Sequence, residues 1–134
     1  MRILIMGLPG SGKTTVSKRL AAALNATHIN ADSVRTAFDW DFSYAGRLRQ
    51  ATRMRELSEK APTDHVVADF VAPLKLHRDI FCPDVLVFLN TINISRYKDT
   101  NTIFQDPTGA DFQFNTFREI DIEVLANYVK GQLK

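Results

Sequence analysis

One stretch near the amino terminus constrains the fold more than any other part of the chain. Residues 2–15 read RILIMGLPGSGKTT, in which the apolar run Ile3 to Met6 is followed by a glycine-rich turn. The pattern G-x-x-x-x-G-K-[ST] is that of a phosphate-binding loop between a buried strand and a helix. The residues that fit it are Gly7, Gly12, Lys13 and Thr14.

Each residue type in this loop has a mechanical reason to be there. Glycines let backbone N–H groups turn inward around phosphate oxygens, and the positive end of the following helix points at the same place. Lys13 would reach the β- and γ-phosphates, and the Thr14 hydroxyl would ligate Mg²⁺. The sequence therefore predicts ATP and Mg²⁺ as cofactors. The predicted nucleotide-binding residues are Gly7, Leu8, Pro9, Gly10, Ser11, Gly12, Lys13, Thr14 and Thr15.

Size and composition narrow the functional classes. A chain of 134 residues predicts one domain over residues 1–134, so any lid over the site must be short. The net charge of +2 is too small to indicate a dedicated nucleic-acid binder. Lone Cys82 has no partner for an internal disulfide, and the first strand is needed for the fold, so it is not a signal peptide. No apolar run approaches the roughly 18 residues of a membrane span. We expect a cytoplasmic protein with no membrane partner, and a homodimer stays open.

The rest of the chain alternates strand and helix patterns, which predicts a three-layer α/β/α fold of the P-loop NTPase type. Its sheet would have five mainly parallel strands. In the first helix, apolar residues recur at Val16, Leu20, Ala23 and Leu24. Further strands are predicted around Ile29 and over 65–70, 84–90 and 112–115. Further helices are predicted over 33–38, 45–60, 72–81 (with Pro73 in its first turn) and 119–133. Residues 91–109 show no period, so we predict a lid reduced to a loop.

Two acids follow strands, where the ligand crevice of an open α/β sheet lies. Asp32 comes just past the strand of Ile29, and a carboxylate there could orient or deprotonate an acceptor hydroxyl. It could equally cap a helix that begins at Ser33. Asp69 ends the strand over 65–70 and could hold the metal shell. The predicted metal-binding residues are Thr14, Asp32 and Asp69.

Aromatic and basic residues cluster in the middle of the chain. A polar connection, DWDFSY, carries Trp40, Phe42 and Tyr44, which could form a platform for a flat base or pack into the core. The next helix has a narrow apolar stripe and carries Arg47, Arg49, Arg53 and Arg55. Planar guanidinium groups suit anionic oxygens, but such a run is usually a solvated face, which we prefer for Arg49 and Arg55. We interpret His65 and His77 as structural or solvent-facing.

Several stretches together resemble the adenylyl-sulfate kinases, which phosphorylate the 3′-hydroxyl of adenosine 5′-phosphosulfate with ATP. GLPGSGKTT is similar to that family's GLSGSGKST, although many kinases share this loop. NADSVR at residues 30–35 resembles DGDNIR. DFS at 41–43 resembles GFS, and FVAP at 70–73 is similar to FISP. The resemblance extends to about Leu89.

The resemblance implies roles for individual residues. Lys13 and Asp32 would be catalytic, with Asp32 activating the acceptor hydroxyl. Arg35 would contact the phosphosulfate, and Phe42 would stack on the substrate adenine. Arg53 falls on the second arginine of the family's ENIRR run, and Phe104 corresponds loosely to a second stacking aromatic. The implied substrate-binding residues are Asp32, Arg35, Phe42, Arg47, Gln50, Phe70, Val71, Ala72 and Phe104.

Departures from the family keep the acceptor open. The lysine-rich lid is nearly missing, Asp69 stands where the family has a small polar residue, Asn30 replaces an acid and Gln50 replaces an asparagine. We predict an ATP-dependent kinase of a small nucleotide-like acceptor, with adenosine 5′-phosphosulfate first. The alternatives are a kinase for another nucleoside, nucleotide or modified-base hydroxyl, and a nucleotide-binding regulatory protein without catalysis.

Overall fold

A five-stranded parallel sheet forms the centre of the computed structural model, which describes residues 1–132. Strand order is β2-β3-β1-β4-β5, and every neighbouring pair is parallel. This confirms the predicted fold class. The strands are β1 (Arg2–Met6), β2 (Thr27–Asn30), β3 (Val66–Asp69), β4 (Val85–Leu89) and β5 (Phe112–Phe114).

Helices cover both faces of this sheet, which makes three layers. They are α1 (Lys13–Leu24), α2 (Ala31–Ala37), α3 (Tyr44–Lys60), α4 (Lys75–Phe81), α5 (Lys98–Ile103) and α6 (Ile122–Gly131). Strand β1 lies in the middle, so both its faces are buried: Ile3 and Ile5 pack with α1 and α6, while Leu4 and Met6 pack with α3 and α4. The central position explains why β1 is apolar without interruption from Ile3 to Met6 rather than alternating.

The phosphate-binding loop joins β1 to α1 through two glycines with left-handed backbone. Gly10 has φ +89° and Gly12 has φ +98°, values that L side chains rarely adopt. A Cβ on Gly12 would also lie 2.4 Å from the ring of Phe117. The left-handed backbone therefore favours glycine at position 12, and a side chain there would also have to displace the ring of Phe117.

Helix starts differ from the sequence expectation in two places. Helix α2 begins at Ala31, and its N-cap is Asn30, whose Oδ1 accepts from the backbone N–H of Ser33 at 3.0 Å. The alternative of Asp32 as the cap is therefore wrong, and Asp32 lies in the first turn. Helix α4 begins at Lys75 rather than near Pro73, because Ala72 adopts φ +46° and turns the chain before the helix starts.

Three further expectations need correction. Residues 91–109 were expected to be a loop but contain α5. Ala23 is exposed and Ala21 is buried instead, because the buried stripe of α1 follows positions 16, 17, 20, 21 and 24. The final helix begins after a 3-10 turn with Asp121 as its cap, and the predicted apolar position Leu133 lies outside the described residues.

Across residues 1–132, no helix has the length and apolar character that a membrane crossing requires.

Candidate functional site

A cleft of about 1250 Å³ opens at the carboxyl ends of the strands. The loop and the first turn of α1 form one wall, and α2 with the segment that follows it forms the other. Lys13, Thr14, Asp32 and Asp69 all line this cleft. The structure thus brings together the lysine and the carboxylate that the sequence predicts to act as a pair.

Lys13 is held beneath the loop. Its Nζ donates to the carbonyl oxygen of Leu8 at 3.0 Å. Burial lowers the pKa of Lys13 from its ordinary value to about 8, while the nearby carboxylates of Asp69 and Asp32 oppose that shift. A polyanion in the cleft would add to these carboxylates in favouring the charged ammonium.

Asp69 is the most enclosed acid of the site, with 2% of its surface exposed. Its Oδ1 accepts from Nδ2 of Asn30 at 3.0 Å, and its Oδ2 contacts Nε2 of His28. The Asn30 Nδ2 atom also lies 3.3 Å from the Thr14 hydroxyl oxygen. A polar chain therefore runs from strand β2 through Asp69 and Asn30 to the first turn of α1.

Sequence reasoning missed His28 and the structural role of Asn30. The alternation in β2 places both side chains on one face, since residues two apart on a strand share a face, but it does not show that β3 lies beside them. Asn30 and Asp69 are register partners between β2 and β3, which places His28 on the same face one step earlier.

The oxygen groups here fit Mg²⁺. A hydroxyl and carboxylates are hard ligands, and Mg²⁺ is usually bound by one or two carboxylates together with substrate phosphates and water. Residues 1–132 hold no cluster of three or more His, Cys, Asp or Glu suited to a metal ion. Asp32 makes no side-chain hydrogen bond to another described residue, so its oxygens are available. Thr14, Asp32 and Asp69 are the residues that would hold Mg²⁺.

The opposite wall centres on an aromatic ring with two guanidinium groups over it. Phe42 is 50% exposed, and the guanidinium carbons of Arg35 and Arg47 lie 4.1 Å and 5.5 Å from its ring centroid. Trp40 lies beside it, with ring centroids 6.3 Å apart. Both aromatic residues line the cleft, whereas Tyr44 is exposed and lies outside its lining. The alternative of core packing is therefore wrong for all three.

Backbone contacts hold these arginines in place. Arg35 Nη1 donates to the Asp41 carbonyl at 3.1 Å, and Arg47 Nε donates to the Phe42 carbonyl at 2.9 Å. Arg47 Nη2 also donates to the hydroxyl oxygen of Thr100, on α5, at 3.2 Å. Several N–H groups of each planar guanidinium remain after these bonds.

Neither arginine has a carboxylate partner within ion-pair distance among residues 1–132, although both are at least 92% buried. Burial lowers the pKa of both, and the charge of Arg47 lowers the pKa of Arg35 further. Two buried cations of this kind, which line an open cleft, have an arrangement that suits an anionic group.

Arg49 and Arg53 instead brace the aromatic segment from outside. Arg49 Nη2 lies 2.7 Å from Asp41 Oδ2, and Arg53 Nη1 lies 2.7 Å from Asp39 Oδ2. Neither arginine lines the cleft. The solvated face preferred for Arg49 is thus a set of ion pairs that fix the loop, while Arg55 forms the surface helix pair with Glu59.

Two buried polar groups on the floor are only partly satisfied. Gln50 Nε2 donates to the Ala31 carbonyl at 3.0 Å. The Gln50 Oε1 atom is buried and has no hydrogen-bond partner among the described residues. His77 Nδ1 accepts from the Leu74 N–H at 3.2 Å, and its Nε2 has no partner among the described residues. Burial, with Arg47 and Arg78, lowers the pKa of His77 to about 4. Phe70, Val71 and Ala72 line the same floor.

Phe104 does not lie in this cleft. Its ring stacks on Phe88 with centroids 5.9 Å apart, and it lines a separate cavity of about 200 Å³ behind the loop, together with Leu8. Its expected place as a second stacking aromatic is therefore wrong. Ile94, Arg96 and Tyr97 line the main cleft instead, and the sequence did not single them out as contact residues.

Together, the fold and the loop define the P-loop kinase fold. The chain belongs to the AAA domain family, whose model matches residues 3–74. Among solved structures, it is similar to Mycobacterium tuberculosis APS kinase CysC in complex with AMPPNP and APS. That likeness has 21% identity and a TM-score of 0.73, and it covers 98% of this chain and 96% of the other.

Curated relatives match over shorter stretches. The bifunctional shikimate kinase/3-dehydroquinate synthase of Thermotoga maritima is 36% identical over an alignment of 76 residues, and this match covers 50% of this chain and 15% of the relative. The shikimate kinase of Corynebacterium jeikeium is 58% identical over 31 residues, which are 23% of this chain and 17% of the relative. The matches thus span less than a fifth of the length of either relative.

Proposed function

We propose that this protein transfers the terminal phosphoryl group of ATP to a hydroxyl of a small, anionic, nucleotide-like acceptor. The observation that carries the proposal is the joint lining of one cleft. Lys13 lies on the loop wall, and Asp32 lies in the first turn of α2 on the opposite wall. Arg35 and Arg47 share that opposite wall, and neither has a carboxylate partner within ion-pair distance among residues 1–132. Donor and acceptor would meet between them.

The loop wall would bind the donor. Backbone amides of Gly10 and Gly12 would face the phosphates, and the Lys13 ammonium would leave the Leu8 carbonyl to contact transferred oxygens. Mg²⁺, when bound with ATP, supplies positive charge that offsets charge developing on the phosphates. Thr14 and the carboxylates described above would hold it.

Asp32 would orient the acceptor hydroxyl and take its proton. A bond forms between the acceptor oxygen and the terminal phosphorus, the phosphorus–oxygen bond to ADP breaks, and ADP leaves with that electron pair. Asp32 suits this role because it is exposed to the cleft and makes no side-chain hydrogen bond within residues 1–132.

The other wall supports adenosine 5′-phosphosulfate as the first acceptor to test. Phe42 offers a half-exposed ring for a flat base, and the guanidinium groups beside it suit a sulfate or phosphate. Gln50 Oε1 has an unused lone pair for a donor on the acceptor. Residues 91–104 would close over the bound acceptor. The cationic residues of this segment are Arg96 and Lys98.

A second candidate is a sugar-like acid of the shikimate type. The two curated relatives favour it, and a pair of arginines suits a carboxylate as well as a sulfate. It leaves the exposed ring of Phe42 without a stacking partner, so we place it second. Other nucleosides, nucleotides and modified-base hydroxyls remain in the same panel.

The test is ADP release over a panel of acceptors: adenosine 5′-phosphosulfate, shikimate, gluconate, nucleosides, nucleotides and an oligonucleotide with a hydroxymethylated base. We expect saturable stimulation by adenosine 5′-phosphosulfate. Asp32→Asn should lower that turnover by about 10²- to 10⁴-fold with ATP affinity nearly unchanged. Asp64→Asn, an exposed acid outside the cleft, is the matched control.

The possible outcomes separate the candidates. Stimulation by shikimate alone would replace the acceptor and leave the kinase standing. Tight ATP binding with no stimulation by any acceptor would favour a non-catalytic nucleotide-binding protein. Undiminished turnover in Asp32→Asn would remove the proposed role of that carboxylate.

A further inference from the structure

His28 lies behind the site rather than in it. It sits on edge strand β2, its side chain is 17% exposed, and it is absent from the lining of the cleft. Its Nε2 nevertheless contacts Oδ2 of Asp69, whose side chain is only 3% exposed. A carboxylate oxygen only accepts hydrogen bonds, so Nε2 carries the proton in this contact, and a neutral imidazole is sufficient.

Asn30 completes the hold on the same carboxylate. Its Oδ1 accepts from the Ser33 N–H at 3.0 Å, which fixes the orientation of the amide. Its Nδ2 therefore faces inward, 3.0 Å from Asp69 Oδ1 and 3.3 Å from the Thr14 hydroxyl oxygen. Each oxygen of the carboxylate thus has one protein donor, and each keeps a lone pair for a further ligand.

The carboxylate held in this way acts on the loop. Asp69 stands close enough to Lys13 to favour its charged form, and it is linked to Thr14 through Asn30. A rotation of the Asp69 side chain would disturb both residues at once. Outer partners that orient a ligating carboxylate commonly change metal affinity by 10- to 100-fold when they are removed.

We propose that His28 is a positioning residue for Mg·ATP: with Asn30 it fixes the Asp69 carboxylate, and through that carboxylate it sets Thr14 and Lys13. This rests on the proposed function, because it assigns His28 to the donor side of that site. His28 itself touches neither nucleotide nor acceptor.

Two substitutions separate this role from a merely structural one. His28→Gln keeps a donor near the position of Nε2, whereas His28→Leu removes it. His65→Leu is the matched control, since His65 is also buried but lies at the amino end of β3, away from the cleft. The readout is the affinity for a fluorescent, non-hydrolysable ATP analogue, titrated with and without Mg²⁺ and with no acceptor present.

We expect His28→Leu to raise the Mg²⁺ concentration for half-maximal enhancement of binding by about 10-fold. Affinity without Mg²⁺ should change less than about twofold, and the His28→Gln and His65→Leu variants should resemble the wild type. Because His28→Leu leaves a buried carboxylate without one donor, Asp69→Asn is made alone and in combination. If His28 acts through Asp69, the two losses should not add.

An unchanged Mg²⁺ dependence in folded His28→Leu would overturn the proposal. So would equal losses in the Leu and Gln variants, a loss of the same size with and without Mg²⁺, or additive losses in the double variant. A wild-type protein that binds no ATP analogue would instead remove the proposed function, and this inference with it. Failure of every acceptor leaves this test intact, because the test contains none.

Discussion

The two walls of the cleft are built by different means. The loop wall rests on regular structure: β1 with Ile3 to Met6 buried, two left-handed glycines, and the start of a twelve-residue helix. The opposite wall is a short aromatic segment held by side chains, with Arg35 and Arg47 bonded to its carbonyls and Arg49 and Arg53 paired with its acids. The first wall is held by backbone, and the second by contacts that a few substitutions can change.

This difference suggests a division of labour. A backbone cradle suits phosphates, which are common to all donors of this type, while a side-chain wall can be altered to suit another acceptor without disturbing the fold. Changes on the loop wall should therefore affect all turnover, and changes on the opposite wall should affect one acceptor.

The largest effect should come from Lys13→Ala. It removes the ammonium that donates to the Leu8 carbonyl and lies near Asp69 and Asp32. We therefore expect turnover with every acceptor to fall by more than about 10³-fold. Initial rates of ADP release measure it. Lys18→Ala, an exposed lysine on the same helix, should change little. A loss confined to one acceptor would break the division between the walls.

Phe42→Ala should give the next largest effect. Stacking of a base on an aromatic ring is worth roughly 1–3 kcal/mol, so the KM for a nucleotide acceptor should rise about 5- to 150-fold. The KM for ATP should stay the same, and Phe42→Tyr should retain the wild-type value. Tyr44→Ala is the control, because that ring is 62% exposed and outside the cleft. An equal rise in the KM for ATP would contradict the assignment.

The contrast between the walls also explains what could be predicted from the sequence. The strand–loop–helix unit is local, so its glycines, lysine and apolar spacing identify it directly. The parallel direction of the strands follows from the alternation of strands and helices along the chain. The aromatic segment suggested Phe42 as a stacking ring, but Arg35 was found through a resemblance rather than through a physical rule. The prediction for Phe104 was wrong because its ring stacks on Phe88. The spacing of residues along an irregular segment does not reveal such a contact.

His28 and Asn30 were missed for a different reason. Their function depends on contacts between β2, β3 and α1, and no local pattern reveals which strand lies beside which. The short helix α5 was missed because its six residues carry too few apolar positions for a detectable period.

His77, on the floor of the cleft, should make the stability of the protein depend on pH. The folded pKa of His77 is about 4, below its ordinary value of 6.5, so the unfolded chain binds more protons between these values. The contribution of His77 to the free energy of unfolding is therefore complete above about pH 6.5, where the side chain is neutral in both states. It is lost as the pH falls toward 4, because the unfolded chain takes up a proton that the folded chain does not. The loss should be at most roughly 3 kcal/mol.

His77→Asn is the matched variant, because its side-chain oxygen can still accept from the Leu74 N–H but no longer titrates. We expect urea unfolding to show a shallower decline between pH 6.5 and 4 in this variant than in the wild type. His65, whose pKa is also lowered by burial, is present in both proteins and cancels. Trp40, the only tryptophan, reports on the aromatic wall by fluorescence. Identical slopes in the two proteins would contradict the assignment.

The smallest effect should come from Arg49→Ala. Its ion pairs with Asp39 and Asp41 are exposed to solvent, so their loss should have little effect on the free energy of unfolding. These pairs still fix the segment that presents Phe42, so the acceptor KM should rise by about two- to fivefold, the cost of ordering a looser loop. Arg55→Ala, on the same helix but paired only with Glu59 and the Ile80 carbonyl, should leave that KM unchanged. If Arg49→Ala and Arg55→Ala change the acceptor KM equally, the position of Phe42 does not depend on the ion pairs of Arg49. The aromatic wall would then be as well fixed as the loop wall.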